Sequence, residues 1–307
     1  MSDYVQMWKE LGMDLETHDL LCQVLPTAVG DVFLTQENRP KAMDFWDLVI
    51  SEVHGIRPAE LIAAQKERRK VFGTFCVYVP DEVILAANGI VMGLCGGSQF
   101  WVPGGEAVLP KNTCPLIKAS VGARLGRTCP FFRIADMYVG ETTCDGKKKA
   151  YEILGEDVPM YIMDVSQMKR EKDILKWKEE IKDFAKKVEE FTGNVITPEK
   201  LKEAIHIVNE KRKALARVYN ARKALNLPIS GRDALLMMQI SLALHALLDG
   251  AGVQNRIAPA PRSIQGELSC GMYLLLEPEE LAAAKAVIEA HQAAHCAFGG
   301  ADTQPPG

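Results

Sequence analysis

From the first residues to about residue 70, apolar side chains recur at helical spacing among charged ones, in 4–11, 40–53 and 58–70, with breaks at Gly30 and Gly55. This stretch predicts a helical lead-in. At Val71 the period changes. Residues 71–79 (VFGTFCVYV) are short, β-branched and aromatic, and Pro80-Asp81-Glu82 supplies the proline and acids that open a helix. The same alternation continues with a strand over 89–94, a helix over 115–125 after Asn112-Thr113, and a strand over 134–139. A helix over 147–154 after Asp145-Gly146 and a strand over 160–165 (MYIMDV) complete it. Strands alternating with helices imply right-handed crossovers and a mostly parallel sheet, with ligands gathered at the carboxyl ends of the strands.

Residues 169–225 are charged, with apolar positions at helical spacing. The turn Thr192-Gly193-Asn194 and the start signal Thr197-Pro198-Glu199 divide them into two long helices that read as a solvated hairpin. Past about residue 230 the chain turns rich in Ala, Leu and Gly, and a compact βαββα unit can be drawn. Its strands fall at 235–239, 256–259 and 272–276, its helices at 241–248 and 278–290, and GGADTQPPG forms a tail. The expected fold class is therefore α/β, a Rossmann-like sheet with a helical lead-in (1–70), a core (71–168) and a helical hairpin (169–230). A small C-terminal α+β domain (231–293) and a tail (294–307) follow.

Composition narrows the function classes. With 48% hydrophobic and 25% charged residues the chain reads as a soluble globular protein, and a net charge of −4 gives no basic footprint for nucleic acid. No apolar run reaches transmembrane length, and the opening MSDYVQMWKELGMDLETHDLL has early acids and no apolar core, so neither a membrane span nor a secretory leader is expected. The expected location is the cytoplasm. Eight cysteines in a reducing compartment then point to metal-binding, catalytic or simply buried thiols rather than to disulfides.

Five of them, Cys76, Cys95, Cys114, Cys129 and Cys144, are separated by 19, 19, 15 and 15 positions and form no CxxC pair, which weakens a zinc-finger or ferredoxin reading. Their placement argues the other way. Cys76 ends a predicted strand just before a helix start, and Cys114 and Cys144 fall at predicted helix starts, where partial positive charge favours the thiolate that binds iron and free amides can meet cluster sulfurs. Cys95, in GLCGG, and Cys129, in RTCPF, read equally well as small buried hydrophobes.

The stretches GTFCVYVPDEVILAANG, LPKNTCPLIKAS and VGETTCDGKKKAYEIL, in this order, resemble the 2-hydroxyacyl-CoA dehydratase and benzoyl-CoA reductase subunit family. The opening residues, NRPKAMDFWDLVISEVHG, and the cysteines in GLCGG and RTCPFF resemble its double-cubane-cluster reductase branch, and the match runs to about Gln239. The resemblance implies that Cys76, Cys114 and Cys144 ligate a 4Fe-4S cubane with an open fourth iron site, and that Cys95 and Cys129 extend it to a double cubane. It implies low-potential, ATP-driven electron transfer, with an ATP-dependent activator carrying its own 4Fe-4S cluster as partner. The substrate would be a 2-hydroxyacyl thioester or another small molecule that is hard to reduce.

Family members carry a second α/β lobe after the helical segment. Here its place is taken by a stretch that resembles a small selenium or sulfur carrier, so the cluster would need a homodimer mate or a partner subunit to close it. Within that stretch Cys270 reads as a persulfide-bearing thiol, a substitute ligand or a buried thiol. A sulfur or selenium carrier, a cluster scaffold, or a truncated inactive homologue is the alternative function.

Other candidates carry less. His295-Cys296 are adjacent and near the tail, and adjacent side chains rarely meet one atom. His18, His54, His206 and His245 fall in helical stretches without a motif. GLCGG and VPGGEAVLP fit neither GxGxxG nor the Walker pattern, so nucleotide binding by this chain is not expected. Glu82, Glu106, Glu141 and Asp145 lie near the cysteines and are candidates for proton transfer, Asp145 equally for helix capping.

Overall fold

The computed structural model describes residues 3–94 and 98–244. Cys95, His245, Cys270 and His295-Cys296 lie outside the described residues, as does the C-terminal unit beyond residue 244.

The lead-in is helical: α1 (Asp3–Glu10), α2 (Leu15–Val29), α3 (Met43–Ser51) and α4 (Ile56–Lys66). Gly30 does not break the chain as its composition suggests, because α2 runs on into one π-helical turn, Gly30–Leu34. The core alternates β1 (Val71–Thr74), α5 (Asp81–Ala86), β2 (Ile90–Gly93), α6 (Val102–Glu106), α7 (Pro115–Leu125), α8 (Pro130–Ile134), β3 (Met137–Glu141), α9 (Asp145–Leu154) and β4 (Met160–Met163). The four strands form one sheet in the order β2-β1-β3-β4, and every pairing is parallel. The register sets Val71 beside Ile90, Phe72 beside Met137 and Tyr138 beside Met160.

Both faces of this sheet are covered, which is why its strands read as continuous apolar runs. Alternate residues serve opposite layers. Val71, Ile90, Met92 and Tyr138 pack with Leu61 of α4, Val121 of α7, Phe132 of α8 and Leu154 of α9. Phe72, Val91, Met137 and Val139 pack on the other side with Ile84 of α5 and with Phe184 and Val188 of α10 (Glu171–Thr192). Gly193 closes α10 in the left-handed conformation (φ 73), and Thr197 caps α11 (Pro198–Ala221) by accepting from the Lys200 amide. The expected α/β fold with a parallel sheet, helical lead-in and helical hairpin is therefore the observed one.

Three expectations are corrected. The run 71–79 is a strand only over Val71–Thr74 and α5 opens at Asp81, so Cys76 stands in the connection rather than at the strand's end before a helix. Residues 235–239 form no strand: they lie inside α12 (Gly231–Leu244), whose Leu236, Met237 and Ile240 pack with Met43 and Trp46 of α3 and Val218 of α11. An apolar run of that length has no decisive period, and the helical partners determine its form. The strand expected over 134–139 begins later, at Met137, because Pro130 opens α8 and the residues FFRI are consumed in it.

Candidate functional site

Parallel order determines what can meet. Cys76 follows β1 by two residues, and Cys144 follows β3 by three, so neighbouring strands deliver both to the same carboxyl edge. Cys114 and Cys144 are the N-caps of α7 and α9, and in neither case does the cap side chain take up a hydrogen bond from the helix's first turn. Two of the predicted helix starts are thus observed helix starts. Their corners abut: a Cβ placed on Gly146 would lie 2.9 Å from Ile117 Cδ1, 3.8 Å from Cys144 Sγ and 4.0 Å from Thr113 Cγ2.

Beneath these corners lies an apolar recess of about 30 Å³, lined among others by Phe75, Leu94, Leu116, Ile117, Lys147 and Tyr151. Phe75 precedes Cys76, Leu94 precedes Cys95, Leu116 and Ile117 follow Cys114, and Lys147 stands one turn after Cys144. The recess is thus lined by residues within three positions of four cysteines in the sequence. Cys76 is half-buried while Cys114 and Cys144 are exposed, and all three are free thiols.

At the edge of the recess Glu141 is wholly buried. Lys147 pairs with its Oε1, Thr143 Oγ1 donates to it at 2.8 Å, and Tyr151 donates to Oε2 at 3.2 Å. The Tyr151 hydroxyl in turn accepts from the Glu141 amide at 3.3 Å. Burial, then the adjacent carboxylate, pushes the Tyr151 phenol well above its ordinary range, so it stays a proton donor. Lys147 also reaches the Phe75 carbonyl at 3.5 Å and so ties the ends of β1 and β3 together.

The other carboxylates considered for proton transfer are engaged elsewhere. Glu82 pairs with Arg212. Glu106 pairs with the buried Lys118 at 2.6 Å, which holds its carboxyl below the usual range. Asp145 is exposed and pairs with Lys148.

Cys129 differs from the three edge cysteines. It is buried in the core as the N-cap of the short α8, and burial pushes its thiol up to about 11. One constellation escaped the sequence reading altogether: His18, Cys22 and His54 converge within 4.8 Å of one another. Its only sequence signal was the i, i+4 spacing of His18 and Cys22, because His54 arrives from another helix end.

A family model described as 2-hydroxyglutaryl-CoA dehydratase, D-component, matches residues 76–252, more than half of the chain. The chain belongs to the 2-hydroxyglutaryl-CoA dehydratase D-component family. The matched region opens on Cys76, contains Cys95, Cys114, Cys129 and Cys144, and runs through the whole of α12. Among curated relatives of this dehydratase family, "Putative dehydratase subunit YjiM" of Escherichia coli (strain K12) is 41% identical over 165 residues, 53% of this chain and 43% of the relative. A benzoyl-CoA reductase subunit of Thauera aromatica is 26% identical over 182 residues, 57% of this chain and 46% of the relative. The match thus spans less than half the length of either. Among the described residues no helix is long and apolar enough to cross a membrane.

Proposed function

We propose that this chain holds a four-iron cluster on Cys76, Cys114 and Cys144. It then serves as the electron-delivering component of a 2-hydroxyacyl-CoA dehydratase or benzoyl-CoA reductase type system. The observation that carries the reading is the convergence of the cysteine-bearing corners at one carboxyl edge of a parallel sheet, over a shared apolar floor.

The residues fit such a group in kind. The donors are soft sulfurs on free thiols, and two of them stand at the amino ends of helices whose first-turn amides their own side chains leave unbonded. A four-iron cube takes its thiolates at separate corners, so its ligands stand farther apart than those of a single ion. The double-cubane extension would add Cys95, outside the described residues, and Cys129, buried in the core, so the proposal rests on the other three.

When bound, the cluster supplies one-electron chemistry at low potential. The chain's own residues position and shield it. The apolar floor formed by Phe75, Leu94 and Ile117 limits water, and the Lys147–Glu141 pair fixes the Cys144 corner against β1. A separate ATP-hydrolysing activator delivers the electrons, and the acceptor is a 2-hydroxyacyl thioester or another small molecule. The exposure of Cys114 and Cys144, together with the subunit status in both relatives' names, supports a partner that covers this edge, a second copy or another subunit.

Serine substitution tests the ligand set. Cys76→Ser, Cys114→Ser and Cys144→Ser should each lower the iron retained after anaerobic reconstitution, whereas Cys22→Ser should not. Iron retention that is indifferent to all three would refute the assignment.

A further inference from the structure

The lead-in carries metal-ligating side chains that the proposed function does not use. His18 and Cys22 stand one turn apart on α2 and so share a face. His54 comes from the connection between α3 and α4, and its Nδ1 lies 3.0 Å from His18 Nε2. Cys22 Sγ lies 3.5 Å from the same His18 nitrogen. A tetrahedral zinc ion with the usual Zn–N and Zn–S bond lengths places two nitrogens about 3.3 Å apart and a nitrogen and a sulfur about 3.6 Å apart. The observed spacings are within a few tenths of an ångström of those values.

The surroundings hold this arrangement ready. His18 is wholly buried and His54 nearly so, while Cys22 is half-buried and gives the site its route to solvent. Trp8 of α1 lays its ring edge-on to His18, with centroids 4.4 Å apart, and donates its indole N–H to the His54 carbonyl at 2.8 Å. The exposed Asp19 carboxylate stands 4.0 Å from His18 Nδ1, on the ring nitrogen away from His54 and beyond hydrogen-bond reach.

We propose that His18, Cys22 and His54 form a second metal site, distinct from the cysteine edge, that takes a single zinc ion with water in the fourth position. Two imidazoles and one thiolate suit this borderline-soft ion. Binding displaces the Cys22 thiol proton to solvent and involves no redox change.

The ion staples α2 to the α3–α4 connection. The α1–α2 corner is itself docked on the segment around Cys129, through the Asp14 amide to the Arg127 carbonyl at 3.0 Å and Arg133 Nε to the Leu11 carbonyl at 2.7 Å. The site therefore stiffens the scaffold behind the sheet.

Cobalt(II) and zinc(II) additions to the full chain test this. The wild-type chain and Cys114→Ser should bind one ion whose X-ray absorption shows mixed nitrogen and sulfur neighbours. Cys22→Ser and His54→Gln should lose that one equivalent, together with the thiolate-to-cobalt absorption and the rise in thermal midpoint on adding zinc. Cys22 is half-buried, so Cys22→Ser keeps the fold, and an unchanged circular dichroism spectrum checks this. Equal ion content in the wild type and Cys22→Ser, or a bound ion with sulfur neighbours only, would overturn the proposal. Because iron content at the cysteine edge is read separately, failure here is distinguishable from failure of the proposed function.

Discussion

The Lys147 ammonium pairs with the Glu141 carboxylate at the end of β3, and that carboxylate has no exposure to solvent. One ion pair thus lies under the corner that carries Cys144 and, through the Phe75 carbonyl, under the one that carries Cys76.

Removing one partner of a buried pair leaves the other charge stranded. Lys147→Met should destabilise the chain by about 3 kcal/mol, moderated because Lys147 itself keeps some exposure. The double variant Lys147→Met/Glu141→Gln should recover most of the loss. Urea unfolding of the four chains of this cycle checks it; a double variant no more stable than Lys147→Met would remove the argument.

Thiol accessibility should separate the cysteines. In the metal-free chain iodoacetamide at neutral pH should modify Cys114 and Cys144 first and Cys129 last, since Cys129 is buried and its thiol is pushed up to about 11. Peptide mass spectrometry over a time course reads the order.

Gly122 of α7 has no room for a side chain: a Cβ there would lie 1.9 Å from the Trp101 carbonyl oxygen, and one at Gly105 of α6 would lie 2.0 Å from the Lys118 carbonyl oxygen. The two helices cross backbone to backbone, so neither obstacle can rotate away. Gly122→Ala should cost about 2–3 kcal/mol through overpacking, readable as a lower thermal midpoint.

Lys211 is largely buried against α5, 4.0 Å from Asp81, and burial pulls its ammonium down to about 8. Its unfolded value is near 10.5, so between these values the unfolded chain binds more protons than the folded one, and stability rises with pH. Lys211→Met should therefore gain on the wild type below pH 8, by up to about 3 kcal/mol. That advantage should shrink as pH rises toward 10.5, and a pH-independent difference in unfolding free energy would contradict this.

What the sequence revealed depended on local signals. Pro115 opens its helix in place and Asp145 opens the next two residues before the expected start at 147, so the caps Cys114 and Cys144 were readable, and the alternation of strand and helix was enough for a parallel sheet. Tertiary packing decided the rest. The VPGGE segment was weighed only against nucleotide-binding patterns, whereas its glycines serve a close helix crossing, and residues 235–239 became helical against α3 and α11. Glu141 was noticed only as a neighbour of Cys144; its burial under Lys147 and Tyr151 depends on a fold that no local pattern encodes. The His18–Cys22–His54 convergence spans 36 residues and was invisible for the same reason.

The most direct test of the central claim is iron and acid-labile sulfide per chain, with electron paramagnetic resonance of the reduced protein, on material purified without oxygen. A cluster on Cys76, Cys114 and Cys144 predicts about four irons and matching sulfide, with a reduced-cluster signal. Protein that retains neither iron nor sulfide after reconstitution would contradict the account.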